Sequence, residues 1–253
     1  MPVARVPVGL GSPVRWLALG WADLRENPLP GLLHGLVLTA FGALLLWAAG
    51  EKFWLLAGAF SGFLIVAPIL ATGLYQVSRA SESGRRAGLG EVALVWRSGD
   101  RRLVIFGLLL GLAGTGWVLT SAGLITLWSP QPIHKPADFL RHVVLVREIG
   151  LFEVWLLLGA LLAAPVFASS VVALPMLLDT RASVMDAVRA SWRAVASHPG
   201  PTAAWAVLIV LLVGLGMATA LLGLIVIVPL VAHASWYAYR DLTAQPFGGL
   251  AAS

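Results

Sequence analysis

The sequence predicts an all-α fold: a polytopic membrane helix bundle of about six transmembrane helices, arranged as three hairpins, each preceded by a cytoplasmic amphipathic helix. Three observations carry this. The chain is 59% hydrophobic and 11% charged, with a mean hydropathy of +0.88 over 253 residues, a balance that belongs to membrane proteins. Its apolar residues gather in long runs free of Asp, Glu, Lys and Arg, among them the forty-one residues from Pro199 to Tyr239. At about 1.5 Å per residue that run is roughly 60 Å of helix, twice a ~30 Å hydrocarbon core, so it holds two crossings. Immediately before it stands a short segment with helical periodicity, Ser183 to His198.

In chain order, Met1 to Gly11 lacks an apolar core ahead of a small-residue cleavage site, and no cleaved leader is expected. Ser12 and Pro13 read as a cap and first helical position. Val14, Leu17, Trp21 and Leu24 form one face of a helix that is expected to lie on the membrane surface. Asn27-Pro28-Leu29-Pro30 ends it, and Gly31 to Ala49 is the first span. Glu51 and Lys52 turn the chain into a second span, Phe53 to Val77, with Pro68 inside it. Ser78 to Arg102 is polar and basic, with a brief amphipathic turn at Leu89, Val92 and Trp96.

The third span occupies about 103 to 126. A loop from Trp128 to Gly150 follows, in which Phe139, Leu140, Val143 and Val144 have the spacing of a short interfacial helix. Val154 to Leu178 is the fourth span, with Pro165 and Pro175 as expected kinks. In the next segment Val184, Met185, Val188, Trp192 and Val195 recur at helical spacing opposite Asp186, Arg189 and Arg193. Ser183 and Asp186 have capping spacing, and Pro199 stops the helix near His198. The last hairpin is expected at about 201 to 218 and 222 to 240, reversing at Gly214, Gly216 and Gly223.

An internal repeat underlies these elements. Trp21, Pro28 and Pro30 match Trp192, Pro199 and Pro201 at a constant offset of 171 residues. Ala67-Pro68-Ile69-Leu70-Ala71-Thr72, Ala164-Pro165-Val166-Phe167-Ala168-Ser169 and Val228-Pro229-Leu230-Val231-Ala232-His233 share a pattern, and Trp96-Arg97 parallels Trp192-Arg193. The reading is a single membrane domain over 12–242, with pseudo-repeats at 12–79, 88–178 and 182–242; residues 1–11 and 243–253 are expected to be flexible tails. Thirteen of the seventeen Lys and Arg then fall on the side of the N-terminus, the loops after spans two and four, and the C-terminus. That side, with both termini, is expected to be cytoplasmic.

The stretch ALPMLLDTRASVMDAVRASWRAVASHPGP, followed by GLIVIVPLVAHASWYAYRDL, resembles a bacterial family of predicted integral membrane proteins, the domain of unknown function numbered 2189. The resemblance covers about 12 to 242, with Ser-Trp-Arg, His-Pro-x-Pro and Trp-Tyr-Ala-Tyr-Arg-Asp-Leu as its distinctive parts. It implies a multi-pass protein of the bacterial inner membrane and offers no catalytic residues. Some relatives carry the label of cytochrome c oxidase subunit I. A haem-copper catalytic subunit resembles a bundle with twice as many spans and six metal-ligating histidines, whereas this chain has five His in all.

No Cys is present, which excludes disulfides and thiolate metal sites. The formal charge of +5 comes from arginines in short loops, so membrane topology accounts for it and nucleic acid is not an expected partner. His34 and His233 lie within expected spans. Two intramembrane imidazoles could hold a haem, but hydrogen bonding between helices is the more economical role, and no cofactor or metal is expected. His34 and Glu153 lie near span ends, where polar groups reach the interface. Tryptophans at 16, 21, 54, 128 and 236 suit interfacial belts. No Walker loop, His-Glu-x-x-His or nucleophile elbow is found, so the protein is not expected to be an enzyme.

Two functional classes follow. One is a non-enzymatic inner-membrane protein that serves as an accessory or assembly partner of a membrane complex such as a respiratory oxidase. The alternative is a transporter or lipid-handling protein that uses proline-broken helices. The candidate polar intramembrane site is Thr72, Ser169 and His233, each four residues after a shared proline and expected to converge at one depth. Arg189 and Arg193 are the candidate contacts to anionic lipid headgroups on the cytoplasmic face.

Overall fold

The computed structural model describes residues 7–49, 71–85, 87–129, 131–145 and 150–244, and every element in them is helical. The elements are α1 (Ser12–Glu26), α2 (Pro28–Ala49), α3 (71–82), α4 (Leu89–Arg97), α5 (Arg101–Trp128), α6 (Pro136–Phe139), a π-helical turn (Leu140–Val144), α7 (Leu151–Ser170), α8 (Ala173–Asp179), α9 (Val184–Ser197), α10 (Pro199–Ala218) and α11 (Leu224–Ala244). Four stretches among the described residues are long and apolar enough to cross a membrane: Pro28–Ala48, Arg101–Trp128, Leu151–Asp179 and Pro199–Ala218. Of the expected second span, residues 53–70 lie outside the described residues, as do most of its Ala67 to Thr72 motif and parts of both tails.

The expected sixth span is α11, but only its first half is a uniformly apolar run. From His233 onward it carries Ser235, Tyr237, Tyr239, Arg240 and Asp241, and this half is the axis on which the bundle is built. α1 and α2 together run antiparallel along α11. Trp16 donates to Asp241, and Thr39 at the other end donates to the Leu221 carbonyl at 3.3 Å. Two glycines let the backbones close. A Cβ on Gly20 would stand 2.6 Å from the Ala234 nitrogen, and one on Gly35 would stand 2.1 Å from the Ile225 carbonyl oxygen. Such approach between helices is what small residues permit in membrane bundles.

α1 and α9 each have three faces, where apolar periodicity distinguishes only two. Val14 and Trp21, like Met185 and Trp192, remain exposed, and a charged face stands beside them on α9. The third face is buried, and small or polar apart from Trp16: Trp16, Gly20 and Asp23 on α1, Ala187, Ala190, Ser191 and Ala194 on α9. Ser183 caps α9 through the Asp186 N–H at 3.1 Å, and His198 ends it, as the sequence leads one to expect.

The break in the fourth span falls at Val171 and Val172, between α7 and α8. Pro165 sits inside α7 without interrupting it. Pro175 lies four residues after Val171 and has no N–H to offer its carbonyl, which accounts for the position of the break. The buried Val172 N–H is taken up by Ser191 Oγ at 3.1 Å, so α9 completes the hydrogen bonding of the kink. Arg102 then fastens the end of α8: its guanidinium donates to the carbonyls of Leu177, Thr180 and Ala182 and pairs with Asp100. The same pairing holds the Asp100 carboxyl below its usual range.

The α10–α11 reversal differs from expectation. Gly214 and Gly216 lie inside α10, while the turn takes positive φ at Ala220 (51°) and Leu221 (70°). Gly216 serves packing instead, since a Cβ on it would meet Leu224 at 2.6 Å, while Gly223 lies in the turn as expected.

Candidate functional site

A stripe at spacings of three and four runs down α1 and continues into α2: Trp16, Gly20, Asp23, Asn27, Gly31 and His34, all buried. On α11, His233 and Tyr237 are one turn apart. On α3, Ser78 and Ser81 lie on one face. Where these three faces meet, the bundle holds a polar seam. Ser78 Oγ and His233 Nδ1 are 2.8 Å apart, both residues are fully buried, and Asn27 Nδ2 donates to Ser81 Oγ at 3.1 Å. Asp23 is 3% exposed, and the hydroxyls of Ser78, Tyr237 and Ser81 face its carboxyl. Burial raises its pKa above the ordinary Asp value, a shift that those hydroxyls oppose and nearby Glu26 reinforces. His34 closes the inner end of the stripe, its Nδ1 lying 2.6 Å from the Pro30 carbonyl.

On the adjacent faces of α3 and α11 lies a cleft of about 350 Å³ lined by Arg79, Glu82, Ser83, Asp179, Trp236 and Arg240. Its charges pair with one another: Arg79 with Asp179 at 3.1 Å, Arg240 with Glu82 at 3.0 Å, and Tyr239 donates to Asp179 at 2.9 Å. Two cations and two anions leave it without net charge, so it selects no sign of ligand. With the Arg15–Asp241 pair, these contacts gather the start of α1 and the ends of α3, α8 and α11 on one face of the bundle. α3 and α11 therefore run parallel, Ser78 level with His233 and Glu82 level with Trp236 and Arg240.

This geometry distributes the three residues singled out by the proline pattern. His233 is in the seam. Thr72 is buried on α3, but six residues separate it from Ser78, about 9 Å of helical rise. Ser169 is half-buried on α7 and accepts from Trp192 Nε1 at 3.0 Å, which ties α7 to α9. The partner of His233 is Ser78 in place of Thr72 or Ser169. Arg189 and Arg193 stand exposed on α9, Arg189 beside Asp186 at 3.7 Å. Among the described residues no group of three or more His, Asp or Glu could hold a metal ion.

Sequence reasoning missed Asp23, Ser78 and Tyr237. Asp23 reads as part of a solvated face until its register with Trp16, Gly20 and His34 is noticed, a stripe of small and polar residues that apolar periodicity passes over.

No curated protein and no solved structure matches the chain. A protein family described as "Predicted integral membrane protein (DUF2189)" matches residues 55–179, which covers the middle of the chain and ends at α8. The Ser-Trp-Arg, His-Pro-x-Pro and Trp-Tyr-Ala-Tyr-Arg-Asp-Leu elements lie beyond the match. With four membrane-length helices among the described residues, whose elements are all helical, the chain is an integral membrane protein, and its segment 55–179 is similar to the DUF2189 family.

Proposed function

We propose that this membrane protein is a non-enzymatic carrier that passes a small polar solute or ion across the bacterial inner membrane, with both termini cytoplasmic. The observation that supports the reading is the seam of Asp23, Ser78 and His233. Ionisable groups buried in a membrane bundle are costly to keep, and those that persist line pathways more often than they serve packing. The seam begins on the faces adjoining the cleft, which is open to water. The exposed apolar stripes of α1 and α9 set these helices against lipid, with Arg189 and Arg193 on anionic headgroups.

The test is reconstitution into liposomes and recording of charge movement or uptake over a panel of ions and small solutes. Flux above that of empty liposomes for one of them supports the reading; inertness to the whole panel overturns it. The accessory or assembly role beside a membrane complex is the second reading. It draws on the α5–α7 flank, where Leu112, Leu119, Leu127 and Leu161 are more than 60% exposed. Lipid fits that surface as well as a partner helix does, and gentle purification from the native membrane, followed by identification of co-purifying proteins, separates the two.

A further inference from the structure

Both ends of the seam are open. His233 is fully buried, its Nδ1 engaged with Ser78, while its Nε2 has no hydrogen-bond partner among the described residues. Asp23 is likewise buried, and its Oδ2 has no such partner. A network that only held helices together would be expected to close its polar atoms, because each orphan costs about 1–3 kcal/mol. Here the unsatisfied atoms are an acceptor on a carboxyl and a nitrogen on an imidazole, joined through a hydroxyl that both donates and accepts.

We propose that Asp23, Ser78 and His233 form a proton relay. The proposal rests on the carrier reading and names the proton as what the seam passes. With Asp23 ionised, the Ser78 hydroxyl donates to the Asp23 carboxylate and His233 Nδ1–H donates to Ser78 Oγ, leaving a lone pair on Nε2. A proton that arrives at Nε2 is matched by transfer of the Nδ1 proton to Ser78 Oγ while the Ser78 proton passes to Asp23. One proton has entered at the imidazole and one stands on the carboxyl, from which Oδ2 releases it. The imidazole returns to its starting tautomer by exchanging protons with water, Nε2 losing one and Nδ1 gaining one, and the Ser78 hydroxyl turns back to Asp23. Gly31, beside Nε2, presents no side chain against that edge; even a Cβ there would stand 3.6 Å away. The charged and titratable groups around the relay are Glu26 on α1, His34 on α2, Glu82 on α3 and Tyr237 on α11.

The experiment uses full-length protein in liposomes with a trapped pH indicator and a potassium diffusion potential to drive protons. Wild-type liposomes are expected to change internal pH about tenfold faster than empty ones, with Asp23→Asn, His233→Gln and Ser78→Ala reduced to the empty rate and Ser78→Thr, which keeps the hydroxyl, close to wild type. Each variant is compared only if it elutes as wild type does. The Thr and Ala variants at position 78 differ in the relay hydroxyl, so their contrast does not depend on the harsher substitutions. Wild-type flux that persists in Ser78→Ala overturns the relay. Liposomes that pass another solute of the panel but no protons overturn the relay and leave the carrier reading standing; liposomes that pass nothing overturn both.

Discussion

The segments α1–α2 and α9–α10, 171 residues apart, share five buried positions and fill them differently. Trp16 and Ala187, Gly20 and Ser191, Asp23 and Ala194, Gly31 and Thr202, and His34 and Trp205 are buried in each pair, while Val14 and Met185, and Trp21 and Trp192, are exposed in each. The exposed face is alike in size and chemistry, as expected if both helices face lipid. The buried face differs because its neighbours differ. α1–α2 runs the length of α11, whereas α9 packs mainly on α7 and α8, and α10 packs on α11. Two ionisable groups of the stripe, Asp23 and His34, therefore occur in the first segment alone; their counterparts are Ala194 and Trp205. An element repeated in outline becomes a candidate site in one copy and plain packing in the other.

The largest expected effect breaks this comparison at its tightest point. Gly35→Ala places a Cβ 2.1 Å from the Ile225 carbonyl oxygen, a backbone atom that can yield only if α2 moves off α11. We expect a loss of about 3 kcal/mol, read as a lower thermal stability in detergent. Its counterpart Ala206 already carries that Cβ and is partly exposed, so Ala206→Leu is expected to cost less than about 1 kcal/mol.

Asp23 gives a smaller effect with a sign. Its pKa in the folded protein is raised, so the protonated form fits the fold better than the carboxylate does. The stability it contributes is complete below the ordinary value of 3.8 and is lost as pH climbs from there through the raised value. At neutral pH the buried carboxylate therefore costs stability, and Asp23→Asn is expected to raise the melting temperature, with the gain shrinking as the medium is acidified. Melts across a pH series check this; a gain that grows on acidification would contradict the burial of the carboxylate.

Much of this fold is legible in the sequence. Pro28 and Pro199 mark where α1 and α9 stop, Ser183 caps α9 as its spacing requires, and the long uncharged runs become the membrane-length helices. The kink in the fourth span and the α10–α11 turn are less so. Proline weakens a helix over a full turn, and which residue yields depends on whether a partner such as Ser191 is at hand. The positive φ of Ala220 and Leu221 has no signature in residue type. The seam was hardest to read, because apolar periodicity finds the lipid face in a membrane helix, while the faces that meet inside are made of Gly, Ala, Ser and isolated polar groups. His233 stood out as a polar residue inside an apolar run, but its partner Ser78 could be found only from the register of α3 against α11.

The smallest expected effect sharpens the comparison on the exposed side. α9 carries Arg189 and Arg193 beside Met185 and Trp192, while the corresponding positions of α1 are Ala18 and Ala22 beside Val14 and Trp21. Both helices then have an apolar stripe, but only α9 has a pair of cations one turn apart beside it, each worth about 1 kcal/mol near an anionic surface and screened by salt. A peptide covering Arg181 to His198 is expected to bind anionic vesicles as a helix, with an affinity that falls as salt rises and after charge reversal at Arg189 and Arg193. A peptide covering Gly11 to Asn27 lacks this paired-cation face, and its weaker binding should respond little to salt. Equal salt dependence in the two would mean that Arg15 and Arg25 serve α1 as Arg189 and Arg193 serve α9. Because Arg15 pairs with Asp241 in the folded protein, the full-length chain with Arg189 and Arg193 reversed is the deciding sample: retained salt-sensitive binding there would remove α9 as the headgroup contact.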